Sequence, residues 1–111
     1  MNLNLPSEKV LWILQRASAV LNLAIIVYIF FSLNASNLLD HSLTQLWLEQ
    51  NFNKLILFIL FFSLGLHASL GISVIIHDYI HENKIKNIVL LGKNLFIILF
   101  WSFVGISLYF I

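Results

Sequence analysis

His67 is the residue whose type and position in this sequence most clearly suggest chemistry. It lies about midway along residues 55–76, a run of 22 residues that contains no Asp, Glu, Lys or Arg. At about 1.5 Å per residue, a helix of that length crosses the roughly 30 Å hydrocarbon layer of a bilayer. His67 is therefore predicted to lie well inside the membrane. A polar side chain there is costly, and it usually faces a cavity, a partner helix or a cofactor.

A second group of reactive side chains, His77, Asp78 and Tyr79, follows near the end of the same predicted helix, where it should meet headgroups and water. His77 and His81 are four residues apart, but no third metal ligand has a matching spacing, so a solvated helix end is the simpler interpretation. Asp78 alone is typical of a carboxylate at a helix end. The phenol of Tyr79 can donate a hydrogen bond to a carbonyl group without carrying a charge.

The composition is that of an integral membrane protein. Apolar residues make up 60% of the 111 positions, charged residues only 10%, and ten residues are Phe, which is outside the usual range for a soluble domain. Because there is no cysteine, disulfides, thiolate catalysis and cysteine-ligated zinc or iron–sulfur sites are excluded within this chain. The net charge of +1 says little by itself, and the sequence has no basic patch large enough to indicate a nucleic-acid partner.

The apolar runs predict an all-α membrane protein that forms one domain over residues 1–111. Three transmembrane helices are expected at about residues 8–33, 54–79 and 88–111. The first run could also be a signal peptide, but it is longer than a typical h-region and lacks a good cleavage site, so we expect it to be retained.

A short helix at the membrane interface is predicted between the first two spans. Ser42 and Gln45 have the spacing of a capping box, and Leu43, Leu46 and Trp47 would then share one helix face. This interpretation places Trp47 at the depth of the headgroups.

The basic residues predict the orientation of the three spans. Five of the six lie on the side of the N-terminus and the second connection, namely Lys9, Arg16, Lys84, Lys86 and Lys93, against Lys54 on the other side. By the positive-inside rule, the N-terminus lies in the cytoplasm or matrix. Arg16 is most simply an anchor that reaches the headgroups, and contact with a propionate or another anion is the alternative.

Small residues form two adjacent stripes on the second helix. The stripes consist of Ser63, His67 and Gly71 and of Gly65, Ser69 and Ser73, and small residues allow a helix or a flat ligand to approach closely. Two interpretations of His67 are open. It packs in a helix interface with a hydrogen bond to a neighbouring Ser or carbonyl, or it is a ligand beside a large planar group for which Gly71 leaves room.

Two segments resemble a known family. His67 and Gly71, followed by Asp78-Tyr79, resemble the H-x-x-x-G-x(6)-D-Y pattern in the second transmembrane helix of the small membrane-anchor subunit of succinate dehydrogenase, respiratory complex II. The Arg-Ala-Ser-Ala sequence of residues 16–19 is similar to the R-A-[ST]-A segment that opens helix one in that family. The length, the three spans and the N-inside orientation also match.

The resemblance implies specific roles for four of these residues. His67 would be one axial ligand of a b-type haem, with the other ligand supplied by the large cytochrome b anchor subunit. Arg16 would neutralise a haem propionate. Tyr79 would donate a hydrogen bond to a ubiquinone carbonyl, and Asp78 would belong to the same quinone site. Twelve helical residues separate His67 from Tyr79, about 18 Å along the axis, which agrees with one site near mid-bilayer and one at the inner interface.

The implied function is that of the anchor subunit of succinate:quinone oxidoreductase. It would hold the flavoprotein and iron–sulfur subunits on the mitochondrial inner membrane or bacterial plasma membrane and link the tricarboxylic acid cycle to the respiratory chain. Succinate oxidation would occur elsewhere, because this chain has no flavin-binding motif and no cysteine. The alternative is a haem-free structural or assembly subunit of another respiratory complex. A transporter component would be expected to show internal repeats or broken helices.

Overall fold

The computed structural model describes residues 8–33 and 39–111, which contain four α-helices and no strand. The helices are α1 (Glu8–Ser32), α2 (His41–Glu49), α3 (Asn51–Tyr79) and α4 (Asn83–Tyr109). Three of them, α1, α3 and α4, are long and apolar enough to cross a membrane. The all-α membrane fold with three spans and a short intervening helix is confirmed.

The helix ends differ from the predicted ones where the chain is polar. α3 begins at Asn51 rather than at residue 54, and α4 begins at Asn83 rather than at residue 88 and ends at Tyr109. Hydropathy locates the part of a helix that lies in hydrocarbon, whereas the polar first turns of α3 and α4 remain helical beyond it. The connection between these two helices is therefore only residues 80–82.

The cap of α2 was predicted wrongly. Asp40, not Ser42, is the N-cap, and its Oδ1 accepts hydrogen bonds from the main-chain nitrogens of Ser42 and Leu43 at 2.9 and 3.3 Å. Asp is among the preferred N-cap residues, because its side-chain oxygen satisfies N–H groups of the first turn.

Trp47 is only 7% exposed, with its Nε1 donating to Ser32 Oγ at 2.7 Å, so it packs inward against α1.

α3 is the central helix of the structure. It packs against both α1 and α4, whereas in the described part of the chain no Cα atom of α1 lies within 8 Å of a Cα atom of α4. Each outer helix therefore buries one narrow stripe. In α4 that stripe is Leu90, Ile97 and Val104, a spacing of seven that is typical of left-handed packing between two helices.

The two small-residue stripes of α3 face different neighbours. His67 and Gly71 lie toward α1, where they meet Ser18 and Gln15. On the other side, Gly65 lies against Trp101 of α4, and Lys93 reaches Ser69 and Ser73. The small residues thus allow close helix packing on two sides of one helix.

A hydrogen-bonded cluster joins α1, α2 and α3 at the start of α3. Asn53, only 1% exposed, accepts from Tyr28 Oη at 2.8 Å and donates through Nδ2 to Trp47 O at 2.9 Å and Gln50 Oε1 at 3.0 Å. Every polar atom of this buried amide therefore has a partner, which is what burial in a membrane protein requires. The cluster ties the end of α1 to the start of α3.

Most of the apolar surface of the three spans faces outward. In the most apolar part of each span, only 17% of the residues are buried within the chain. A surface of that character is stable only against lipid or other protein subunits.

Candidate functional site

His67 lies on the side of α3 that faces α1, and it is partly exposed. Its Nδ1 is 2.9 Å from Ser18 Oγ, and Ser18 also donates a hydrogen bond to the main-chain oxygen of Gln15 at 3.0 Å. Among the described residues, no other side chain or main-chain group bonds His67. The predicted hydrogen bond to a neighbouring serine is present, and Nε2 has no hydrogen-bond partner in residues 8–33 and 39–111.

His67 could supply one ligand to a metal or a haem, but the described residues around it do not form a complete metal site. An imidazole nitrogen in apolar surroundings is a good ligand for haem iron, and ligating histidines are usually held by a hydrogen bond to their other ring nitrogen. Residues 8–33 and 39–111 contain no group of three His, Cys, Asp or Glu side chains that could hold a metal ion. A second axial ligand would have to come from outside this part of the chain.

Gly71 lies one turn from His67, beside α1. A Cβ built on Gly71 would meet only Gln15 Nε2, at 3.7 Å, which is an ordinary van der Waals contact. The packing between the described residues therefore does not by itself require glycine at this position.

The α1–α3 interface is also polar one turn further along. Asn22 follows Ser18 by four residues and Ser63 precedes His67 by four, so they lie at the same level of this antiparallel helix pair. Both residues are buried, and neither Asn22 Oδ1 nor Ser63 Oγ has a hydrogen-bond partner among the described residues. Polar groups thus continue along the interface on both sides of the Ser18–His67 contact.

A cavity of about 270 Å³ lies between α1 and α3 near the C-terminal end of α3. Its polar lining comes from Gln15, Ser73, His77 and Asp78, with Trp12 at one side. His77 Nε2 is buried and has no hydrogen-bond partner in the described part of the chain. The cavity therefore combines apolar walls with a few polar groups, the usual character of a small-molecule site.

Of the two predicted quinone residues, only Asp78 lines this cavity. Tyr79 is 79% exposed, because consecutive residues of a helix point about 100° apart. No hydrogen bond joins Asp78 to Tyr79 in the described structure. The two residues are neighbours in sequence that face different surroundings.

Arg16 is not brought to His67. It is exposed, and its guanidinium carbon lies 5.3 Å from the centroid of the Trp12 ring. Two helical steps place Arg16 about 200° around the α1 axis from Ser18, the residue that contacts His67. The structure thus separates Arg16 from the Ser18–His67 contact.

His77 and His81 do not lie on one continuous helix. α3 ends at Tyr79, with Ile80 as its C-cap in an extended conformation. His81 therefore lies in the connection and does not follow His77 on one helical face, so the spacing of four residues does not have its helical meaning here.

Lys93 of α4 makes polar contacts with α3 that the sequence did not indicate. Its Nζ donates to Ser73 Oγ at 2.7 Å and to Ser69 Oγ at 2.9 Å, and it lies 3.5 Å from the main-chain oxygen of Ser69. These partners are all neutral oxygens. The i, i+4 spacing of the two serines was visible in the sequence, but the register that sets Lys93 against them was not.

Comparison with known proteins identifies the family. The family model for the succinate dehydrogenase/fumarate reductase transmembrane subunit matches residues 2–106. The succinate dehydrogenase hydrophobic membrane anchor subunit of Rickettsia conorii is 36% identical over 89 residues, which cover 78% of this chain and 70% of the relative. The corresponding protein of Rickettsia bellii is 31% identical over 88 residues, covering 79% and 70%. The chain therefore belongs to the family of succinate dehydrogenase/fumarate reductase transmembrane subunits.

Proposed function

We propose that this chain is the membrane-anchor subunit of a succinate:quinone oxidoreductase. It holds the flavoprotein and iron–sulfur subunits on the membrane, provides one ligand to a b-type haem and contributes to ubiquinone reduction. The family match and the names of the two relatives support the anchor role. The wide outward apolar surface of the three spans suits contact with lipid and with a large cytochrome b subunit.

The observation that supports the haem role is the free Nε2 of His67 in the middle of an apolar span. His67 would bind the iron through Nε2, and the large cytochrome b subunit would provide the other protein ligand. When bound, the haem supplies a site that accepts and releases one electron. Ser18 holds the imidazole ring through Nδ1, and Gly71 presents no side chain one turn away.

The cavity at the end of α3 supports the quinone role. Asp78 and the buried Nε2 of His77 supply polar groups to its lining. Tyr79, which is exposed and does not line this cavity, would donate its hydroxyl hydrogen to a quinone carbonyl held between this chain and another subunit. Asp78 accepts and passes on protons from water at the same membrane face.

In the proposed orientation, the N-terminus lies in the cytoplasm or matrix. Arg16 then lies on the inner side beside Trp12, where it would either anchor α1 at the headgroups or neutralise a haem propionate. Reporter fusions or protease access should place the two termini on opposite faces. Detection of both termini on one face would contradict this arrangement.

The test of the haem role is the absorption spectrum of the purified complex before and after reduction by succinate. The wild-type complex should show b-type bands on reduction. His67→Ala should lose or alter them, whereas His81→Ala, which changes an exposed histidine in the connection after α3, should leave them unchanged. A complex without haem, or an unchanged spectrum in the His67 variant, would indicate a haem-free structural subunit.

A further inference from the structure

We propose that Ser18 is the positioning residue that fixes the tautomer of His67, so that Nδ1 carries the hydrogen and Nε2 presents its lone pair to the haem iron. This inference rests on the haem role proposed above for His67. It assigns a positioning role to a residue of α1, and it predicts that His67 already has this tautomer before any haem binds.

The tautomer of His67 follows from which of three hydrogen-bonded groups can donate: the main-chain oxygen of Gln15, the hydroxyl of Ser18 and the imidazole of His67. The main-chain oxygen of Gln15 can only accept, so the hydrogen in its 3.0 Å contact with Ser18 Oγ comes from the hydroxyl. A serine hydroxyl has one hydrogen to donate. The hydrogen in the 2.9 Å contact between Ser18 Oγ and His67 Nδ1 must therefore come from the imidazole. In a neutral imidazole with hydrogen on Nδ1, Nε2 is the nitrogen with a free lone pair.

The burial of Ser18 stabilises this tautomer of His67. Ser18 is only 6% exposed, so water does not compete for its hydroxyl. A hydrogen bond in such low-dielectric surroundings is stronger than in water, and the opposite tautomer would leave two acceptors facing each other or break the bond to Gln15. The hydrogen bond between Ser18 and Gln15 within α1 thus fixes which nitrogen of His67 carries the hydrogen.

The same hydrogen bond should influence the ligand strength of His67. Partial transfer of the Nδ1 hydrogen toward an acceptor makes the other ring nitrogen more basic, which favours the oxidised form of a bound iron. Loss of the acceptor should therefore raise the midpoint potential of the haem. Changes to such hydrogen-bond partners typically weaken metal binding by about 10- to 100-fold.

The experiment compares four forms of the purified complex: wild type, Ser18→Ala, Ser18→Thr and Ser63→Ala. Ser63 is the matched control, because it is a buried serine one turn from His67 whose hydroxyl contacts no described partner. The measurements are haem content, the electron paramagnetic resonance spectrum and the midpoint potential. We expect Ser18→Ala to retain haem about 10- to 100-fold more weakly, with a raised potential and a changed spectrum, and Ser18→Thr to resemble wild type.

Several results would overturn the proposal. One is an assembled Ser18→Ala complex with wild-type haem content, spectrum and potential. Another is a Ser18→Thr complex that matches Ser18→Ala, because that would assign the effect to packing. If Ser18→Ala does not assemble, Ser18→Cys, which keeps the size but offers a weak acceptor, replaces it in the same comparison.

A measurement without haem separates this inference from the proposed function. Nitrogen-15 magnetic resonance of the complex prepared without haem and labelled at histidine should show His67 protonated at Nδ1 and not at Nε2, with the signal identified by its loss in His67→Ala. The opposite tautomer would refute the role of Ser18 even if haem binds. Absence of haem from the native complex, together with the expected tautomer, would instead refute the haem role alone.

Discussion

Trp101 covers Gly65 so closely that a Cβ at Gly65 would overlap the indole nitrogen. The indole also stacks on Phe62, with ring centroids 4.5 Å apart and planes 22° apart. The missing side chain of Gly65 therefore sets how near α4 comes to α3.

Gly65→Ala should destabilise the α3–α4 pair. The added methyl group must displace the indole, and overpacking of this kind costs about 1 to 3 kcal/mol in the free energy of unfolding. Gly71→Ala and Gly92→Ala are the controls, because a methyl group there meets only one ordinary contact or nothing within 4 Å. Both should be neutral or gain up to about 1 kcal/mol from helix propensity. Denaturation of the purified protein in detergent would measure the difference, and equal stability of the three variants would contradict this account.

The serines that face Lys93 should be coupled to it energetically. Ser73→Ala removes the 2.7 Å acceptor of Nζ, and hydrogen bonds to charged groups contribute about 1.5 to 3 kcal/mol. Lys93→Met keeps the length of the side chain and removes the charge. In a double-mutant cycle, Ser73→Ala should cost much less in the Lys93→Met background. Equal costs in both backgrounds would show that the contact contributes nothing to stability.

Asn53 should be essential to the cluster that joins α1, α2 and α3. Asn53→Ala leaves the polar groups of Tyr28, Trp47 and Gln50 without their partner, which should lower the free energy of unfolding by at least about 1 to 3 kcal/mol. Asn51→Ala, two residues away at an exposed position, should have little effect. Thermal unfolding of the two variants would test the difference, and similar midpoints would contradict it.

Tyr79→Phe should slow quinone reduction by roughly tenfold or more, since it removes the hydroxyl donor and about 1 to 3 kcal/mol of transition-state stabilisation. Reduction of a water-soluble acceptor by succinate should continue, because that route bypasses the membrane site. Tyr109→Phe is the matched control, with 81% exposure against 79% for Tyr79, at the far end of α4. Unchanged quinone reductase activity in Tyr79→Phe would remove this residue from the site, and a loss of both activities would indicate poor assembly.

The spans were predictable because hydrocarbon imposes one requirement over a long stretch of sequence. The run around His67 has to be helical and apolar whatever it packs against. Polar helix ends are under no such constraint, so the first turns of α3 and α4 were missed. At α2, Asp40 and Ser42 are both good caps, and only the path of the chain decides between them.

For the contacts of the site, the sequence could predict the type of partner but not which residue it would be. That His67 would meet a serine was a reasonable expectation, but the choice of Ser18 depends on the register of two helices whose contacting residues are 49 positions apart. The same holds for Lys93, which the sequence assigned only to the inner side of the membrane and which the structure places against Ser69 and Ser73. Register depends on shape complementarity along a whole interface, such as the fit of Trp101 over Gly65, and no local pattern encodes it.

The separation of α1 from α4 has a consequence for biosynthesis. Because a chain emerges N-terminus first, α1 and α3 enter the membrane before α4 has been made. The hydrogen bond that His67 makes in the described residues joins it to Ser18 within that first helical hairpin, so this bond does not have to wait for the last span. We expect a nascent chain that ends shortly after Tyr79 to contain the Ser18–His67 bond already. The last helix would then add to stability without rearranging the histidine.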